Sequence, residues 1–402
     1  MGQTPSKILP ETSGWDAEAN EHPRIKWLYR ILMGFGALLG IAFGVGAYLY
    51  FTPVMITGTD DIGKYEIGVQ RYEYWRGKYK FIRSGNQTHW NTAGQMILRQ
   101  SSKKGQFHGV EEAWYDSGQL RRRCNWTYNK KNGLDQYWHP NGKLAYEANW
   151  IDDELQAAPG QWDETGTTIP QPETISLDLG AGVRMELVLI PVGEFMMGSD
   201  DFYVEEKPVH KVIISKPFYM GRYEVTQEQY KQVMGTYASW YRSAKHPAAD
   251  ISWNDAEEFC NRLSQKTEYL ITLPTEAQWE YACRAGTTTQ WYFGDEEYLL
   301  DDYAWYRWFV GFFSRPVGQK RPNSFGLYDI HGNVREWCSD VIDDTYYFDI
   351  PAELSNGSFH AIRGGSWMDD AVTCQSAFRN WIEPGRLTGK FGFRVVVIPQ
   401  DE

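Results

Sequence analysis

Cysteine is scarce in this chain and poorly placed for metal. Cys124, Cys260, Cys283, Cys338 and Cys374 form an odd set of five, with no CxxC pair and no zinc-like spacing. The eight histidines are scattered, without an HExxH or other close cluster, so no histidine-based metal centre is indicated. Positive charge is also in deficit: a formal net charge of −12 argues against nucleic acid as a partner. The most telling absence is local. No charged residue occurs from Ile31 to Phe51.

That uncharged run is rich in Leu, Ile, Phe, Ala and Gly. At about 1.5 Å per residue a helix over it covers roughly 30 Å, the thickness of a bilayer's hydrocarbon. Arg24, Lys26 and Arg30 precede it and no Lys or Arg follows until Lys64. Positive charge stays on the cytoplasmic side, which predicts a cytoplasmic segment 1–30, a transmembrane helix 31–51 and an extracytoplasmic bulk, most plausibly in a bacterial periplasm. The sequence Tyr48 to Pro53 is a poor small-residue cleavage site, so the run reads as a single-pass anchor rather than a signal peptide. Gly36, Gly40 and Gly44 line one helix face and predict packing against other transmembrane subunits.

At 402 residues the chain has room for two extramembrane domains, and its 18 Trp and 26 Tyr suit small aromatic-packed units. Residues 52–84 read as a membrane-proximal linker. After them the chain repeats itself. Trp90, Trp114, Trp138 and Trp162 stand 24 residues apart, each followed four residues later by Gly94, Gly118, Gly142 and Gly166. Each unit reads as a hairpin, with a strand ending at the Trp and a second beginning near Met96, Leu120 or Leu144. Such units cannot bury their own apolar faces and must stack. Over 85–170 this segment resembles the MORN-type repeats, which implies a spacer or docking surface for a protein partner.

From about Ile175 the pattern changes to short elements. Capping boxes are expected at Thr226/Gln229, Asn254/Glu257 and Thr275/Gln278, each opening a short helix. Ala256, Phe259, Cys260 and Leu263 share one helix face, and Trp279, Ala282 and Cys283 another, so both cysteines read as buried apolar groups.

Several strings then fall in order: Met197-Gly198-Ser199, Tyr223-Glu224-Val225-Thr226, Leu273-Pro274-Thr275-Glu276-Ala277, Gly332-Asn333-Val334, Glu336-Trp337, Arg363-Gly364-Gly365-Ser366-Trp367 and Gly392-Phe393-Arg394. Across 175–398 the chain resembles the formylglycine-generating enzyme (sulfatase-modifying factor) domain. That likeness implies an irregular α+β fold similar to C-type lectins. It also implies oxidation of a substrate cysteine by O₂ at copper(I) held between two cysteines five residues apart. Here the first of those positions is Asp369 and the second Cys374. A carboxylate is a hard ligand and does not replace a thiolate for copper(I). The site therefore reads as degenerate, with no catalytic residue, copper absent and Cys374 a core residue. Partners of Cys260 and Cys283 that form disulfides in some family members are missing too, with Asn380 and Val395 near those positions.

The resemblance further implies a structural calcium ion at Asp329, Gly332, Val334 and Glu336, with carboxylates at the ends and main-chain carbonyls between them. It leaves a former substrate groove near Ser366, Trp367, Asp369 and Arg379. Arg379, Arg386 and Arg394 read either as anion-binding groups or as partners of buried carbonyls. The sequence thus predicts a non-catalytic scaffold or accessory subunit of a membrane complex. A formylglycine-generating oxidoreductase and a calcium-dependent, lectin-like glycan- or peptide-binding module are the two other readings.

Overall fold

The computed structural model describes residues 49–399, apart from 60–62, 76–77, 202, 240–241, 308–312 and 344–357. The expected cytoplasmic segment, nearly all of the expected span and its Gly36, Gly40 and Gly44 lie outside the described residues. Leu49 to Phe51, placed at the end of that span by sequence, instead open a strand. Among the described residues no helix is long and apolar enough to cross a membrane. The chain divides into two units, up to Pro170 and from Gln171.

The first unit is an antiparallel meander. Its strands are β1 (Leu49–Thr59), β2 (Gly63–Trp75), β3 (Lys78–Asn91), β4 (Met96–Lys103), β5 (Gln106–Trp114), β6 (Leu120–Thr127), β7 (Lys130–Trp138), β8 (Leu144–Ile151), β9 (Glu154–Leu155) and β10 (Gly160–Gln161). β1 to β8 pair in sequence order, and β9 and β10 both pair with β8. The described residues of the expected linker, 52–59, 63–75 and 78–84, are therefore strands. The reason lies in β2, where Tyr65, Ile67 and Val69 alternate and Tyr72 and Tyr74 resume with opposite parity. A register shift between Val69 and Arg71 reconciles the two halves.

Two turn types alternate along the meander. Lys104-Gly105, Tyr128-Asn129 and Asp152-Asp153 all take positive φ, as a two-residue hairpin turn of the twist-matched kind requires. In the wider turns the amides of Gly94, Gly118, Gly142 and Gly166 donate to the carbonyls of Asn91, Tyr115, His139 and Asp163. Neighbouring units are tied across the period, as where Tyr115 Oη donates to the Trp138 carbonyl at 2.8 Å and Asn141 Nδ2 to that of Glu164 at 2.8 Å. Tyr137, Tyr146, Ala148 and Trp150 form a small core. On the same sheet face Arg122 reaches Glu111 at 2.7 Å, and buried Lys131 pairs with buried Asp135.

The second unit is α+β. It contains β11 (Thr174–Gly180), β12 (Val183–Ile190), β13 (Gly193–Met197), β14 (His210–Ile214), β15 (Phe218–Gly221), α1 (Gln227–Met234), α2 (Trp253–Lys266), β16 (Leu270–Thr272), α3 (Glu276–Arg284), β17 (Arg335–Asp343), β18 (Ser358–Arg363), β19 (Arg379–Ile382), β20 (Phe391–Gly392) and β21 (Val396–Ile398). One sheet runs β11-β12-β15-β21-β16, a second β19-β18-β17-β20, and β13 and β14 form a separate pair. Between α3 and β17 the described chain has only one short 3₁₀ turn and loops.

The capping boxes of α1 and α3 stand at Thr226/Gln229 and Thr275/Gln278. That of α2 does not use Asn254. Ser252 caps the helix and accepts from the Asp255 amide, while the Asp255 carboxylate takes the Ser252 amide. The shorter Asp closes the same reciprocal pair, which starts the helix two residues earlier. Ala256, Phe259, Cys260 and Leu263 enter one core cluster, and Trp279, Ala282 and Cys283 enter another. All five cysteines are free thiols and buried.

Candidate functional site

The segment carrying Asp369 and Cys374, expected by resemblance to be the copper position, follows the end of β18 and lies against the start of β17. Gly364 and Gly365 lead out of β18 at φ +91° and +71°, a region that costs an L side chain energy. A Cβ on Gly365 would lie 2.5 Å from Cys374 Sγ, so glycine lets the backbone pass over the thiol. Ser366 follows, fully buried, and turns its hydroxyl onto Asp369 Oδ2 at 2.7 Å. Arg335 Nε donates to the same oxygen at 2.7 Å, and Lys390 Nζ stands 3.5 Å from Asp369 Oδ1. Burial would push this carboxyl up, but Arg335, Ser366 and Lys390 outweigh it and hold Asp369 below the usual carboxylate range.

Cys374 does not join this group. It packs with Trp291, Leu300, Ala304, Tyr306 and Ala371. Burial pushes its thiol well above the ordinary value. Trp367 is mostly buried, its ring N–H donating to the Gly389 carbonyl at 3.3 Å. Arg379 is not in the groove at all. Its guanidinium grips both oxygens of Glu276 and lies over the Trp381 ring.

A cavity of about 530 Å³ opens beside the Arg335–Asp369 pair. Its cations are Arg335, Arg386 and Lys390, and its rings are Phe359, Trp381 and Phe391. The floor is the β19-β18-β17-β20 sheet, and the segment between β19 and β20 supplies Arg386, Thr388 and Lys390.

Of the four residues expected to hold calcium, Asp329, Gly332 and Val334 lie on the loop entering β17 and Glu336 is the second residue of that strand. Glu336 is bound by Arg394, with Nε and Nη2 each at 2.6 Å, and by Trp279 Nε1 at 2.7 Å. Asp329 accepts from the Gly318 amide at 2.6 Å through one oxygen, while the other is buried without a partner among the described residues. Glu224 accepts from Asn333 Nδ2 at 2.6 Å and from the Val334 amide at 2.9 Å. Burial raises Asp329 to about 6, and burial together with Asp329 and Glu336 raises Glu224 well above the usual range. Three buried carboxylates thus surround one guanidinium. Among the described residues no group of three or more His, Cys, Asp or Glu side chains is placed to hold a metal. A cation here would take Asp329 and Glu336 with the main-chain oxygens of Gly332 and Val334. The open Asp329 oxygen suits such an ion, whereas both Glu336 oxygens are already held by Arg394 and would have to be shared with it.

The family model described as the sulfatase-modifying factor enzyme 1-like domain matches residues 181–398, over half of the chain. The chain belongs to the sulfatase-modifying factor enzyme 1-like family. Among similar proteins, the formylglycine-generating enzyme of Streptomyces coelicolor is 34% identical over 170 residues, covering 37% of this chain and 52% of that protein. The chaperone protein LppX of Paenibacillus barcinonensis is 26% identical over 264 residues, covering 53% of this chain and 90% of LppX. Of solved structures, Treponema denticola variable protein 1 is similar at a TM-score of 0.51 and 29% identity, covering 57% of this chain and 100% of that one. The match begins at residue 181 and leaves the first unit outside it, a β-rich region for which the expected MORN likeness is not supported.

Within this sulfatase-modifying factor enzyme 1-like domain the structure brings Ser366 and Asp369 together, and leaves Trp367, Arg379 and Cys374 apart from them. Sequence reading missed Arg335 and Lys390. A signal for them existed: a carboxylate in a position otherwise held by a buried thiol needs a cation at hand. Nothing in the spacing said which one.

Proposed function

We propose that this chain is a non-catalytic binding or scaffold subunit, held in a membrane by the segment 31–51 and working outside the cytoplasm. One observation carries this reading. Where the family's copper chemistry needs a second sulfur, Asp369 forms an ion pair with Arg335. Copper(I) favours soft sulfur ligands, and a guanidinium cation beside the site repels a further cation. Cys374, sealed in the core, does not supply a thiolate. The likeness to a protein named as a chaperone accords with binding without turnover.

The test uses the full-length chain in mild detergent. We expect no stoichiometric copper(I), no O₂ uptake with a cysteine-containing peptide, and extraction as part of a larger assembly that Gly40→Leu loosens. An aldehyde product would overturn the reading, and a monomer on gentle extraction would remove its scaffold half. We also propose calcium at Asp329 and Glu336, as a structural ion that pins the loop before β17.

A further inference from the structure

We propose that the cavity beside Asp369 binds a peptide carboxylate flanked by an apolar side chain. This rests on the non-catalytic reading, because it gives the surface beside Asp369 a binding role, although Ser366, Trp367, Asp369 and Arg379 do not themselves line the cavity.

The charges favour an anion. Arg335, Arg386 and Lys390 line the cavity in a chain whose net charge is −12. Arg335 and Lys390 share one counter-ion, Asp369. Glu383 is the one acid on the cavity wall. Three cations against two carboxylates leave a surplus of one positive charge. Arg386 makes no side-chain ion pair or hydrogen bond among the described residues, so its fork of donors is open to a carboxylate. Lys390 keeps about a third of its side chain exposed, 32%.

The walls set the rest of the ligand. Phe359, Trp381 and Phe391 give flat apolar surface within a chamber of about 530 Å³, which suits one or two side chains. One surplus charge balances a single carboxylate. A nucleotide polyphosphate would bring several negative charges against it and leave most unpaired, at a desolvation cost. The cavity's cationic lining likewise disfavours a basic peptide.

A carboxylate of this kind comes from a chain terminus or from an internal Asp or Glu, and the experiment separates them. Three fluorescent peptides of equal length are titrated against the full-length chain in detergent: one ending Leu-Phe with a free carboxylate, its amide, and one with internal Glu-Phe and an amidated end. At least one acidic peptide should bind tighter than about 1 mM, with the amide weaker by roughly tenfold or more. Arg386→Gln and Lys390→Gln should each weaken it by roughly tenfold, and added salt should weaken it further. Arg386 is exposed, so its variant retains the fold. The idea fails if neither acidic peptide binds, if the amide binds equally well, or if Arg386→Gln changes nothing. Copper and O₂ assays on the same protein with a cysteine-containing peptide separate the two readings. Lack of peptide binding without turnover sinks only the cavity proposal. Peptide binding with aldehyde formation sinks only the non-catalytic one.

Discussion

Replacing Glu206 by glutamine probes how this loop-rich domain tolerates a buried acid. Glu206 is 1% exposed, and both its carboxylate oxygens lack a partner among the described residues. Burial pushes it up to about 7 from an ordinary 4.5; Arg363 opposes the rise and Glu280 adds to it. Below pH 4.5 the group is protonated in both folded and unfolded chains and contributes nothing. Between 4.5 and about 7 the unfolded chain releases its proton while the folded one keeps it, so stability falls as pH rises. Above about 7 both forms are ionised and the loss levels off. At about 1.4 kcal/mol per pKa unit the full loss reaches about 3 kcal/mol. Glutamine cannot ionise and escapes it. Urea unfolding of wild type and Glu206→Gln, compared at pH 5 and pH 8, isolates this effect because every other titrating group is common to both. The variant should gain on wild type by up to about 3 kcal/mol between those pH values. A difference independent of pH, or wild type gaining on the variant at pH 8, would refute the reasoning.

Other outcomes follow from the same geometry. Arg394→Met strands Glu336 as a buried unpaired carboxylate beside Glu224 and Asp329, and should cost about 4 kcal/mol in chemical denaturation. In the native protein none of the five buried cysteines should react with an aromatic disulfide reagent, and all five should react after guanidinium unfolding. Calcium at a hundred times its dissociation constant should raise the unfolding free energy by about 2.7 kcal/mol, read as a higher Tm that a chelator reverses. Asp329→Ala should abolish that shift; a Tm indifferent to calcium would remove the ion.

Much of the second unit was legible from its string. The α1 and α3 caps and the buried faces of α2 and α3 follow from local pattern, because helix periodicity and capping are short-range. The α2 cap slipped by two residues since Ser252/Asp255 and Asn254/Glu257 offer rival boxes, and only packing chooses between them. In the first unit the period announced the hairpins from residue 85 on. It missed β1 and β2, where a register shift hides the alternation.

The site is another matter. That Asp369 stands where the resemblance leads one to expect a cysteine is written in the chain. Which cations answer it was decided in three dimensions: Arg335 and Lys390 arrive from 34 residues before and 21 after. The same holds for Arg379 on β19 and Arg394 between β20 and β21, alike as residues yet paired with Glu276 on α3 and Glu336 on β17. Local order is read from neighbours along the chain, whereas charge partners are chosen by which strands lie side by side. That is why the carboxylate at 369 was visible in sequence and the basic cavity beside it only in the fold.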